Sequence, residues 1–237
     1  MSKQKKQALT AAILIVLLIA IDQVIKVAVK LNMNLGESIH IFDWFQIEFV
    51  ENVGMAWGME LGSKLFLSLF RIIAIVFLAW YITDRIRQGA RTGYIVVLAM
   101  ITAGAAGNIF DSIFYGQIFT ASAPYYIEGA TPATLVPWGE GYAPVLMGKV
   151  VDMLYFPLFH GTFPDWIPLW GGESFVFFSP VFNFADSCIS IGVMTILLAF
   201  RKDFNGWVPA GSRPVADNKA AADNQNNADN HTSDDKE

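Results

Sequence analysis

A single cysteine, Cys188, stands among 237 residues, so no intramolecular disulfide framework can hold this fold. It lies inside an apolar run, where a buried, inert thiol is the plain reading. Histidine is scarce as well. His40, His160 and His231 are far apart and no H-E-x-x-H pattern joins them, which leaves a zinc site of that kind unsupported. No Gly-rich phosphate loop and no G-x-S-x-G nucleophile elbow occurs. Charge is sparse too, at 16% of residues against 54% hydrophobic. What remains to carry chemistry is a small set of carboxylates and amides.

The apolar residues are gathered in four runs, about 8–29, 65–82, 94–113 and 180–200. Each is near the roughly 20 residues needed to cross about 30 Å of hydrocarbon. Lipid offers no partner to backbone N–H and C=O groups, so the runs should be helices. The expected architecture is an all-α membrane protein of four transmembrane helices, with external loops over 30–64 and 114–179 and a membrane domain over 1–202. Lys3, Lys5 and Lys6 precede the first run, Arg85, Arg87 and Arg91 fill the short second connection, and Arg201 and Lys202 follow the last run. The positive-inside rule then puts both termini in the cytoplasm and the long loops outside. The first run is long and lacks a small-x-small site before Asp22, so a retained helix is expected and not a cleaved leader. Residues 203–237, rich in Ala, Asp and Asn, read as a disordered cytoplasmic tail.

The outer segments are patterned. Ile39–Ile41 and Phe45–Phe49 alternate apolar and polar residues, the period of a half-buried strand. A small external β-sheet is expected there, with Trp44 and Trp57 at the headgroup level. A lid hairpin that touches no substrate is the alternative. The second segment carries many Pro, Gly and aromatic residues, including Tyr125, Trp138, Trp166 and Trp170. That composition argues for an ordered, extended loop lying on the membrane and against a further span.

Ionisable residues collect toward one end of the runs. Asp22 and Lys26 stand at i and i+4 on one helical face, where they can neutralise each other. In an up-down-up-down bundle, Asp111 and Asp186 fall at the same end, the external one. Charges near hydrocarbon are costly, so such groups are candidates for function. Two nearby carboxylates cannot both ionise cheaply, and one then keeps a proton while the other acts as a base. Asp111, Asp152 and Asp186 are all candidates for such a pair. Asp152 follows an extended approach, Gly148–Val151, and a helix dipole would favour an ionised Asp186 in a first turn.

The stretches Asp22-Gln23-Val24-Ile25-Lys26, Asn52-Val53-Gly54-Met55-Ala56, Gly104-Ala105-Ala106-Gly107-Asn108-Ile109-Phe110-Asp111, Val150-Val151-Asp152 and Phe182-Asn183-Phe184-Ala185-Asp186-Ser187 complete the pattern. Taken in order, the chain resembles the bacterial lipoprotein signal peptidases (signal peptidase II). That resemblance implies a membrane aspartyl endopeptidase of the bacterial inner membrane. It would remove the signal peptide of diacylglyceryl-modified prolipoproteins, cutting before the lipidated cysteine. It implies catalytic roles for Asp152 and Asp186. Supporting or substrate-binding roles fall to Asp22, Lys26, Asn52, Gly54, Asn108, Asp111 and Asn183, with Asn108 and Asn183 as donors to substrate or oxyanion. Expected partners are the prolipoprotein, membrane lipid and globomycin-type inhibitors. No metal, cofactor or nucleic acid is expected.

Two departures stand out. The family usually places Arg after the G-N-x-x-D aspartate, where this chain has Ser112, and 114–147 reads as a loop insertion. Arg71, at the same membrane face, reads first as a cation snorkelling to the headgroups; the alternative is that it supplies some of the missing positive charge. A proton-coupled transporter or a non-catalytic scaffold are the competing readings, but acids collected at one face do not form a path across the bilayer.

Overall fold

The computed structural model describes residues 1–54 and 61–206, the side chains of 61–63 excepted. Its helices are α1 (Lys3–Asn32), α2 (Leu61–Arg87), α3 (Thr92–Ile118), α4 (Phe184–Ala199) and the short α5 (Arg201–Asn205). Its strands are β1 (Ser38–Phe42), β2 (Phe45–Asn52), β3 (Val150–Tyr155), β4 (Phe159–Thr162), β5 (Ser174–Phe177) and β6 (Val181–Phe182). Among the described residues, α1, α3 and the stretch Lys64–Arg87 of α2 are long and apolar enough to cross a membrane. Their outward faces carry Ile13, Val16, Val24, Phe66, Ile73 and Val76, all largely exposed. Apolar patches of that extent mark contact with lipid or protein and not with water.

Two apolar cores give the direction of each helix. One joins Ala11 of α1, Tyr81 and Ile86 of α2, and Tyr94 and Leu98 of α3, with Ile196 and Phe200 packed against it. The other joins Val29 and Met33 of α1, Tyr115 and Phe119 at the end of α3, and Phe49, Val151 and Met153 of the sheet. Hence α1 and α3 run one way while α2 and α4 return, the alternation expected from the loops. The central helix is α3, which packs against α1, α2 and α4. Its small residues permit this, since a Cβ at Gly104 would lie 2.3 Å from the Ala185 carbonyl and one at Gly107 2.6 Å from an Asp22 oxygen. Small residues at helix contacts let backbones approach in this way.

The sheet above the second core is antiparallel in the order β1-β2-β3-β6. The alternating segments of the first loop are its hairpin. In β2 the register slips by one residue between Ile47↔Leu154 and Val50↔Asp152, the signature of a β-bulge.

Several boundaries differ from the sequence expectation. The helices outlast their apolar runs because polar ends remain satisfied by intrahelical bonds, so α1 takes in Lys30 and α3 reaches Ile118. The fourth run, expected to be helical over 180–200, begins as strand β6 and the Asn183 cap, which leaves α4 only 16 residues. The 114–179 segment holds β3 and a second sheet, β4–β5, where one sheet was expected. Residues 203–205, assigned to the tail, continue in α5. Residues 207–237, with the rest of that tail, and Met55, Ala56 and Trp57 lie outside the described residues.

Candidate active site

Local structure accounts for each polar group. Asn183 is the N-cap of α4: its Oδ1 accepts from the Asp186 N–H at 2.8 Å, and an Asp186 oxygen accepts from the Asn183 N–H at 3.4 Å, a reciprocal capping box. This puts Asp186 in the first helical turn, at the positive end of the helix dipole. Asp152 comes from β3 and is buried.

The amide of Asn183, itself wholly buried, joins the two elements. Its Nδ2 donates to Asp152 Oδ1 at 2.6 Å and to Asn108 Oδ1 at 3.1 Å. Asn108 in turn donates to Asp186 Oδ1 at 2.7 Å. The other Asp152 oxygen accepts from Asn52 Nδ2 at 3.0 Å. Asn52 is itself held by Gly54, whose N–H donates to Asn52 Oδ1 at 2.7 Å. Gly54 has φ +71°, a conformation that side chains with a Cβ rarely tolerate. Burial, first, and the neighbouring Asp186 push the Asp152 carboxyl up to about 6, against the hydrogen bonds from Asn52 and Asn183 and the charge of Lys26.

Beneath these groups lies a fully buried ion cluster. Lys26 Nζ sits 2.9 Å from Asp22 and 2.9 Å from Asp111 and donates to Asn108 Oδ1 at 2.8 Å. Asp22 Oδ1 accepts the Ala185 N–H at 3.0 Å, so the cluster also fixes the start of α4. Gln23, which sequence reasoning passed over, donates to Asp22 at 3.1 Å and Asp111 at 2.9 Å, and is held by Tyr115 Oη. Its adjacency to Asp22 was the available signal. The site residues expected from sequence are therefore all in one connected network. The amides of Asn108 and Asn183 are turned toward the carboxylates, with both Asn183 donors already engaged.

Arg71, half-buried, feels Asp186, Asp111 and Asp152 through space. Ser112, buried, donates to the Asn108 carbonyl at 3.2 Å. Among the described residues no group of three or more His, Cys, Asp or Glu is placed to hold a metal ion. A groove of about 500 Å³, lined by Phe178, Pro180, Phe182, Asp186, Ser187, Ser190 and Ile191, opens beside Asp186.

The family model for signal peptidase II matches residues 14–202. The chain belongs to the signal peptidase II family. A lipoprotein signal peptidase of Porphyromonas gingivalis is 54% identical over 195 residues, covering 82% of this chain and 84% of that protein. One from Amoebophilus asiaticus is 38% identical over 189 residues, covering 77% and 73%. A solved bacterial membrane enzyme shares the fold, with TM-score 0.54 at 24% identity over 82% of this chain and 94% of that one. As a signal peptidase II the chain is a multi-pass membrane protease that removes signal peptides from prolipoproteins.

Proposed function

We propose that this signal peptidase II is an aspartic endopeptidase cutting diacylglyceryl-modified prolipoproteins immediately before the lipidated cysteine. Asp152 and Asp186 form its dyad. The observation that carries the reading is the Asn183 amide, which donates to Asp152 while capping the helix that bears Asp186. Asp186, at a helix N-terminus and hydrogen-bonded by Asn108, suits the ionised member. Asp152, whose carboxyl is raised to about 6, suits the member protonated in the active form, a form that grows as pH falls toward 6. Asp186 takes a proton from water, and the resulting hydroxide adds to the scissile carbonyl as Asp152 protonates its oxygen. On collapse, the proton on Asp186 passes to the leaving nitrogen, and a hydroxyl of the diol returns a proton to Asp152. Water is consumed, and both carboxyls regain their starting state.

Four spans with cytoplasmic termini and an external site accord with the cationic connections. Arg85, Arg91 and Asp203 meet at the end of the bundle away from the dyad, the end bearing the positive loops. The apolar groove beside Asp186 suits a signal segment or acyl chains entering from lipid, and a globomycin-type cyclic peptide would compete there. Lipid anchoring of the substrate limits its freedom before reaction.

The test is incubation of purified protein in bilayers with a diacylated prolipoprotein, reading the mass of the released signal peptide. Cleavage before the lipidated residue is expected from the native chain. Asp152→Asn and Asp186→Asn should each abolish it while leaving the yield of folded protein intact. Substantial turnover by either variant would refute the dyad.

A further inference from the structure

A second buried ion cluster lies on the opposite face of the sheet from Asp152. Glu51, its side chain buried, receives Lys30 Nζ at 2.6 Å, Lys149 Nζ at 2.7 Å and Ser122 Oγ at 2.8 Å. Lys30 is wholly buried among the rings of Phe49, Phe119 and Tyr142. Tyr142 Oη also accepts the Lys149 backbone N–H at 2.7 Å. Ser122 and Tyr142 belong to the 114–147 insertion, so this loop contributes to a charged core.

The ladder gives the cluster a purpose. Glu51 opposes Val151 and Asn52 opposes Val150. Residues two apart on a strand share a face. Glu51 and Lys149 are therefore diagonal neighbours on one face, while Asn52 and Asp152 are diagonal neighbours on the other. The bulge between Ile47 and Val50 uncouples this short stretch from the register of the rest of β2. A one-residue slip would exchange the faces and carry Asn52 away from Asp152.

We infer that Glu51, clamped by Lys149 and Lys30 and closed over by the insertion, is a positioning residue that locks the β2–β3 register and so aims Asn52 at Asp152. This rests on the dyad reading above. Misplacement of a positioning group by about 1 Å can cost on the order of 100-fold in rate.

The experiment uses the full-length chain in bilayers with diacylated prolipoprotein, and the variants Glu51→Ala, Lys149→Met, Asn52→Ala, Glu51→Ala with Asn52→Ala, and Asp152→Asn. Glu51→Ala should lower kcat by up to about 100-fold with KM little changed, and the double variant should be no slower than Asn52→Ala alone. Loss of the Asn52 donor removes a hydrogen bond that stabilises the carboxylate, so the pH limb set by Asp152 should move upward in Glu51→Ala and in Lys149→Met alike. Bare electrostatics would move it in opposite directions, because one variant deletes a negative charge and the other a positive one. Opposed shifts, an unmoved limb, or effects of Glu51→Ala and Asn52→Ala that multiply independently would overturn the proposal. Should Glu51→Ala fail to fold, Lys149→Met decides alone by its kcat: a wild-type kcat there overturns the proposal wherever the pH limb lies. Turnover by Asp152→Asn would instead fault the dyad itself.

Discussion

Asn183 donates to Asp152 across 2.6 Å from a side chain that simultaneously caps α4. In the proposed dyad, helix capping and catalysis share one amide, and two substitutions probe the two roles. Asn183→Ala should cost about 1 kcal/mol through the lost cap together with most of the turnover. Asn183→Asp keeps a good cap but sets a carboxylate against Asp152. Signal-peptide release should disappear, and the added buried carboxyl should lower the thermal midpoint at neutral pH, with recovery on acidification as it takes up a proton. A well-folded, active Asn183→Asp enzyme would show that the bridge to Asp152 has no part in turnover.

Asp152 sets a pH dependence of stability whose sign follows from its environment. Its carboxyl is raised from 3.8 to about 6, so between those values the folded chain retains a proton that the unfolded chain has released. Stability therefore falls as pH climbs through this window and stays lower above it. Asp152→Asn removes the effect, and at pH 7 to 8 the variant should gain up to ~3 kcal/mol over the native chain. The gap in thermal midpoint should close on acidification toward pH 4. A gap independent of pH would contradict the assignment.

The Lys26 cluster is wholly enclosed. Lys26→Met leaves Asp22 and Asp111 without their shared cation, and breaking a buried pair from one side costs about 3–5 kcal/mol. Adding Asp22→Asn and Asp111→Asn to the same chain removes the stranded charges and should restore much of the loss. Denaturant or thermal midpoints of the single and triple variants check this, and a triple variant no more stable than Lys26→Met would count against charge stranding as the cause.

Arg71, on α2, adds a positive charge that interacts through space with Asp186, Asp111 and Asp152. Arg71→Ala should lower kcat/KM by roughly 10-fold, about 1.4 kcal/mol of lost transition-state stabilisation, with Arg71→Lys retaining most of it. Full activity in the alanine variant would remove Arg71 from the site and leave Ser112 uncompensated.

Periodicity made the bundle legible. Long apolar runs announce helices because lipid leaves the backbone no other partner, and alternation at Ile39–Ile41 and Phe45–Phe49 announced the β1–β2 hairpin. Part of the polar network was legible through spacing: Asp22 and Lys26 meet as an i, i+4 pair. What escaped depends on contacts far apart in sequence. Phe182 is as apolar as the helix it precedes, so only its pairing with Leu154 makes it a strand. Lys30 looked like a loop cation, and its enclosure with Glu51, Ser122 and Lys149 joins positions up to about a hundred residues apart. The β4–β5 hairpin has no clean alternation, since its aromatics stack within the hairpin, as Phe159 does on Phe177.

The brevity of α4 has a consequence for the surrounding bilayer. Sixteen residues span about 24 Å at 1.5 Å per residue, several ångströms less than a typical hydrocarbon core of about 30 Å. In the proposed topology, with the C-terminal end of α4 at the cytoplasmic surface, the Asn183 cap and Asp186 would be recessed below the outer headgroups unless the bilayer thins around them. The proposed hydrolysis would thereby be stationed at the depth where a diacylated cysteine has its ester groups. Acyl-chain length in the host membrane would then become a control on turnover, with thin bilayers bringing water to the aspartates and thick ones holding it away.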